Sequence, residues 1–140
     1  MPSRNSTPHI LACITPHGFG HAAQITTVLN SLRTQIKNLQ ISLMSGAPLD
    51  LLKSRLRPPF SLYPMPHDPG MLMADALGVQ PDASLEAHRN ILEDWESIIA
   101  ELEKQVAIIQ PDLVIGNIPY TIPVVCNSLK IPCINLCSLN

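Results

Sequence analysis

Residues 9–22 read His9-Ile10-Leu11-Ala12-Cys13-Ile14-Thr15-Pro16-His17-Gly18-Phe19-Gly20-His21-Ala22, an apolar run that meets a glycine-punctuated turn and reopens as a helix. The run from His9 to Thr15 is short, continuous and rich in Ile and Leu, which suits a strand buried on both faces. Pro16, Gly18 and Gly20 carry the turn that ends it. From His21 to about Gln35, apolar residues recur at Ala22, Ile25, Val28, Leu29 and Leu32, one face of a helix. A buried strand that feeds through a glycine turn into a helix is the opening unit of a parallel α/β sheet.

The rest of the chain repeats the alternation. Ile41 to Met44 is expected as strand two, broken by Ser45-Gly46-Ala47-Pro48 before a short helix from Leu49 to Leu56. Phe60 to Tyr63 reads as strand three. Pro64 to Asp82 is a long irregular segment, and loops of that length in compact domains commonly bind or move. Leu85, Ile91, Leu92, Trp95, Ile98, Ile99, Leu102, Val106 and Ile109 step along Ser84 to Gln110 at helical spacing, which predicts one long amphipathic helix. Pro111-Asp112 ends it, Leu113 to Ile115 makes strand four, Pro119 to Leu129 a short helix and Cys133 to Leu136 strand five. The expected fold is a Rossmann-like, doubly wound parallel sheet of about five strands with right-handed crossovers.

At 140 residues and 46% hydrophobic, the chain holds one domain, placed at 9–140 behind a polar, flexible stretch at 1–8. The formal charge of −2 and the lack of any Lys/Arg run exclude an electrostatic footprint for nucleic acid or an anionic membrane. No apolar run approaches the roughly 18 residues that span a bilayer, and Ile10 to Ile14 is too short for a signal-peptide core. A cytoplasmic location is the default. Cys13, Cys126, Cys133 and Cys137 sit in apolar stretches and read as buried free thiols. The spacing of Cys133 and Cys137 matches no usual zinc or redox pattern, so no metal is expected.

In such a sheet ligands bind beyond the carboxyl ends of the strands, where the loops after strands one, three and four converge. Gly18-Phe19-Gly20-His21-Ala22-Ala23 fits the dinucleotide fingerprint, but strand two ends in Met44-Ser45-Gly46-Ala47 without the acidic residue that holds a ribose. No cofactor is therefore expected. His21, in the first turn of the helix, suits a general base because imidazole titrates near neutrality. The plainer alternative is a histidine that only hydrogen-bonds a loop carbonyl. Asp68, Asp75 and Asp82 lie among prolines and glycines, where aspartates commonly cap turns and helices. His67 beside Asp68 is a weaker acid–base pairing, and His88 reads as a residue on the surface or flank of its helix. Phe19 is a better candidate for stacking on a ligand ring than Trp95, Met71 or Met73, which read as packing residues.

Thr15-Pro16-His17-Gly18-Phe19-Gly20-His21-Ala22 resembles the glycine-rich loop of glycosyltransferases with the two-domain GT-B fold. The chain is most similar to the glycosyltransferase-like N-terminal region of L-arabinokinases, which carries a G-H-G-F-G-H-A loop and then a strand ending T-G-A-P, here Ser45-Gly46-Ala47-Pro48. That family's D-x-G, D-A-L, D and S-L-E series is matched by Asp68-Pro69-Gly70, Asp75-Ala76-Leu77, Asp82 and Ser84-Leu85-Glu86. The likeness runs from Ile10 to Leu139 and includes Pro111-Asp112-Leu113-Val114. Asn117 departs from it, standing where the family tends to have an aspartate, and so does Pro16, which replaces a small residue.

The resemblance implies an acceptor-side domain, with a nucleotide sugar bound by a second Rossmann-like domain absent from this sequence. It makes His21, or else His17, the base that deprotonates an acceptor hydroxyl. It also makes His17, Gly18, Phe19, Gly20, Asp68, Asp75 and Asn117 the residues that hold a sugar or sugar-phosphate acceptor. No G-K-[ST] loop supports a kinase reading. Two alternatives stand beside transfer: a non-catalytic ligand-binding or interaction module, and a dinucleotide-binding domain.

Overall fold

A computed structural model describes residues 7–16, 19–65, 68–75, 78–117 and 119–136. In chain order the elements are β1 (His9–Ile14), α1 (Phe19–Gln35), β2 (Gln40–Ser45), α2 (Leu49–Arg55), β3 (Ser61–Tyr63), α3 (Pro81–Glu93), α4 (Trp95–Ile109), β4 (Leu113–Asn117), α5 (Thr121–Leu129) and β5 (Cys133–Asn135). The strands form one sheet in the order β3-β2-β1-β4-β5, and every neighbouring pair is parallel. The expected α/β Rossmann-like sheet is present, with β1 at its centre.

The unbroken apolar run of β1 is explained by helices on both faces. Ile10, Ala12 and Ile14 point into one core with Ile25 and Leu29 of α1 and Leu52 of α2. Leu11 and Cys13, one residue out of phase, point into a second core with Ile98, Leu102 and Val106 of α4 and Ile122 and Val125 of α5. Period-two alternation thus sorts one strand between two cores. All six residues of β1 are buried.

Residues 84–110 do not form the single helix that their periodicity predicts. The backbone leaves the helix at Asp94 (φ −99°, ψ 18°), which ends α3 and begins α4. Ile91 and Ile98 are seven apart and both buried, so the apolar stripe stays in phase across the break and hides it from sequence. Aspartate is a weak helix former. The two halves also have different supports: the Ser84 hydroxyl at the start of α3 accepts from Leu72 N–H (2.9 Å), whereas α4 lies on the sheet.

The chain winds outward from β1 through β2 to β3, then returns to lay β4 against the other side of β1. Ile14 at the end of β1 stands opposite Asn117 at the end of β4. The winding reverses between these two strands, and in open α/β sheets ligands bind beyond the carboxyl strand ends at such a reversal. Pro8, just before β1, is already tied in, its carbonyl accepting from Gln40 N–H at 2.8 Å. Among the described residues no helix is long and apolar enough to cross a membrane.

Candidate functional site

Three loops meet at the carboxyl end of the sheet. The loop after β1 is anchored by Ser45, whose hydroxyl donates to the Ile14 carbonyl (2.9 Å) and accepts from Ala47 N–H (3.0 Å). Gly46 faces Pro16: a Cβ at residue 46 would lie 3.2 Å from the proline Cβ. The missing side chain at Gly46 therefore makes room for the Pro16 ring. His17 and Gly18 lie outside the described residues. α1 begins at Phe19, two residues earlier than its apolar stripe indicates, with Phe19 67% exposed and open space around Gly20. His21 sits half-buried in the first turn.

The segment after β3 brings Asp68 back across the sheet end. This carboxyl is 5% exposed, its Oδ1 accepts from Gly70 N–H (3.1 Å), and its Oδ2 is buried with no hydrogen-bond partner among the described residues. Burial pushes its pKa up, while the Gly70 N–H and the His88 and His21 imidazoles pull it back down. Asp68 and His21 thus come within electrostatic reach of each other, although they are 47 positions apart in the chain. Asp68 also helps burial raise the Tyr120 hydroxyl, and it adds a minor contribution to the upward shift of the fully buried Cys13 thiol. Cys13 is a core thiol beneath the site and no nucleophile.

His88 joins two of the loops. Its ring nitrogens contact Tyr120 Oη and the Gly70 carbonyl, each at 3.1 Å. A carbonyl only accepts, so Nε2 carries a proton toward Gly70; in the neutral ring Nδ1 then accepts from the tyrosine hydroxyl. Tyr120 in turn stacks on Trp95, with ring centroids 6.0 Å apart and planes within 3°. His88 is therefore a bridge under the site and not a flank residue. The sequence carried a signal for this: positions 84, 88, 91 and 95 share the inward face of α3 and its extension. Tyr120 follows the fourth strand, where site residues are expected.

The end of β4 contributes Asn117 and the start of α5 Thr121, both buried. Asn117 Nδ2 donates to Gln24 Oε1 of α1 (3.1 Å), stitching the two sides of the crevice. Asp75 is placed differently from Asp68: it is exposed, and its Oδ1 accepts from Gly78 N–H (2.7 Å) to close a turn beside the Met73–Val79 bridge. Asp82 is exposed in the first turn of α3, the helix end where a carboxylate is favoured. His67 and Cys137 lie outside the described residues. The Cys126 and Cys133 thiols share a hydrogen bond, and burial first, then Cys133, pushes Cys126 up to about 12.

Two concavities lie at the other end of the sheet. One of about 550 Å³ is bordered by Thr7, His9, Gln110 and Asp112, and one of about 660 Å³ by Arg33, Asn38 and Phe60. Neither includes a residue of the His21–Asp68 cluster. Among the described residues no grouping of three or more His, Cys, Asp or Glu could hold a metal ion.

No protein-family model and no curated protein sequence matches the chain. Solved structures do. The apo structure of Phytolacca americana UGT2 superposes on 95% of this chain with a TM-score of 0.60 at 20% identity. MurG of Acinetobacter baumannii covers 93% with a TM-score of 0.60 at 18% identity. CalG4, the calicheamicin glycosyltransferase, covers 96% with a TM-score of 0.59 at 18% identity. The chain spans 30%, 35% and 32% of those proteins, about a third of each. A further structure of UGT2 holds UDP-2-fluoro-glucose and pterostilbene. At these identities the likeness establishes the fold: a five-stranded parallel α/β unit matching a fragment of GT-B glycosyltransferases.

Proposed function

We propose that this chain is the acceptor-side domain of a sugar-transferring protein, with His21 as the base. The observation that carries this reading is the position of His21: first turn of α1, at the crevice beside the ends of β1 and β4, within electrostatic reach of the buried Asp68 carboxylate. His21 takes the proton of an acceptor hydroxyl as that oxygen bonds to the anomeric carbon of a nucleotide sugar, and the nucleoside diphosphate leaves with the electrons of the broken bond. Asn117 leaves the end of β4 without a carboxylate, and Asp68 supplies the charge from the neighbouring loop instead.

The nucleotide sugar belongs to a second domain in this reading, and the chain alone is inactive. The finer likeness to the arabinokinase N-terminal region rests on the sequence motifs around Gly46, Asp68 and Asp75. Free thiols at Cys13, Cys126 and Cys133 suit a reducing, cytoplasmic setting. A ligand-binding module without chemistry is the second reading, favoured by that same Asn117.

A transfer assay on a polypeptide joining this chain to a nucleotide-sugar domain separates the two. His21→Ala is expected to lower turnover by about 100-fold or more with the fold intact by circular dichroism. Turnover unchanged by that substitution removes His21 as the base.

A further inference from the structure

Four side-chain oxygens at the carboxyl end of the sheet are buried without a hydrogen-bond partner among the described residues: Thr15 Oγ1, Asp68 Oδ2, Asn117 Oδ1 and Thr121 Oγ1. Their residues are 2%, 5%, 0% and 2% exposed. Native interiors leave few such atoms, so four on the three loops of one crevice mark a place built for partners from outside the chain.

The chemistry of the four decides what those partners are. Asp68 Oδ1 is engaged by Gly70 N–H and Asn117 Nδ2 by Gln24, which leaves an acceptor on each side chain. The two threonine hydroxyls can each accept, and each has a proton to give. The set therefore calls for a ligand with several O–H donors that also offers lone pairs. A phosphate dianion has no proton to donate, and it would meet a buried carboxylate. The N-terminus of α1 pulls the other way, but its end carries only about half a positive charge against the full negative charge of Asp68.

We propose that the group bound at the ends of β1 and β4 is an uncharged polyhydroxyl, such as the ring of a neutral sugar, and that phosphorylated sugars are rejected there. This rests on the acceptor-site reading above and narrows it from sugar or sugar phosphate to the neutral class. All four oxygens are buried in the structure, so a ligand reaches them only after a local rearrangement of the residues around them.

The test is a nuclear magnetic resonance titration of the full chain, labelled at threonine methyls and asparagine side-chain amides. The probes are D-glucose, D-galactose, D-xylose and L-arabinose, their 1-phosphates, and D-glucosamine. At least one neutral sugar is expected to shift Thr15, Asn117 and Thr121 saturably, with its 1-phosphate at least tenfold weaker. Asp68→Asn should narrow that gap severalfold. If that variant does not fold, Thr121→Val should weaken the neutral sugar severalfold. A 1-phosphate that binds these residues more tightly than its parent sugar overturns the inference and leaves the acceptor site standing. Preferential binding of glucosamine overturns it too, because the site would then read positive charge. No saturable shift from any probe overturns both the inference and the acceptor site.

Discussion

The two ends of the sheet treat their buried polar groups in opposite ways. At the amino end, His9 is 8% exposed and fully engaged: its ring bonds Ser42 Oγ (2.8 Å), its N–H donates to Asp112 Oδ2 (3.0 Å), and its carbonyl accepts from Asp112 N–H (2.9 Å). At the carboxyl end, Thr15, Asp68, Asn117 and Thr121 each keep a buried oxygen unpartnered among the described residues. Satisfied polar groups hold a fold together, whereas unsatisfied ones lower its stability and persist where a ligand will use them. The amino end is thus read as scaffold, although two concavities lie there, and the carboxyl end as site.

The largest effect on stability should come from attacking the scaffold. His9→Ala strands the Ser42 hydroxyl in the core and opens a cavity next to β1. A loss of about 2–3 kcal/mol is expected from urea denaturation. A loss below about 0.5 kcal/mol would erase the contrast between the two ends.

Asp68→Asn should move stability in the other direction. Burial raises the Asp68 pKa, so the protonated form is favoured more in the folded chain than in the unfolded one. Its favourable contribution is complete below the ordinary value of 3.8 and is lost as pH rises through the folded value, which leaves a burdened carboxylate at neutral pH. Replacing it by an amide keeps an acceptor for Gly70 N–H and is expected to gain about 1 kcal/mol at pH 7. That gain should shrink as the pH is lowered toward 4. A variant less stable than the parent at pH 7 would show that the carboxylate is a structural anchor.

Acid should narrow the contrast between the two ends. The His9 pKa is lowered, chiefly by burial, with Asp112 opposing. Its neutral form is the one that folds, so its contribution is complete above 6.5 and fades as pH falls through the folded value. Between pH 7 and 5 the deficit of His9→Ala relative to the parent should narrow by a fraction of a kcal/mol. A deficit that widens on acidification would mean that the Asp112 carboxylate outweighs burial.

The scaffold was far more legible than the site. Runs such as Ile10–Ile14 and Leu113–Ile115 announce strands buried on two faces because both periodicities of the core are written locally. The break at Asp94 was not legible, since Ile91 and Ile98 keep the same phase across it. His21 is singled out by its place after the first glycine turn, and the structure sets it in the first turn of α1. Its pairing with Asp68 was not legible, because the residues between β3 and α3 carry no periodicity that says where they fold back. His88 marks the boundary between the two cases: it reads as a surface or flank residue although its phase with Ser84 and Ile91 puts it on the inward face, and only the tertiary structure shows Tyr120 and Gly70 against it.

Thr121→Val makes the finest cut through the comparison. Valine has nearly the shape of threonine, so the substitution removes one buried hydroxyl without leaving a hole. At a position where the hydroxyl is bonded, such as Thr26 with its 2.7 Å donation to the Ala22 carbonyl, the same change should lower stability by about 1 kcal/mol. At Thr121, whose Oγ1 has no partner among the described residues, it should leave stability within about 0.5 kcal/mol of the parent or raise it. Parallel urea titrations of Thr26→Val and Thr121→Val compare two buried threonines that differ in whether their hydroxyl is used within the fold. Equal losses in the two would mean that the Thr121 hydroxyl finds a partner in solution, and the carboxyl end would then be as fully satisfied as the amino end.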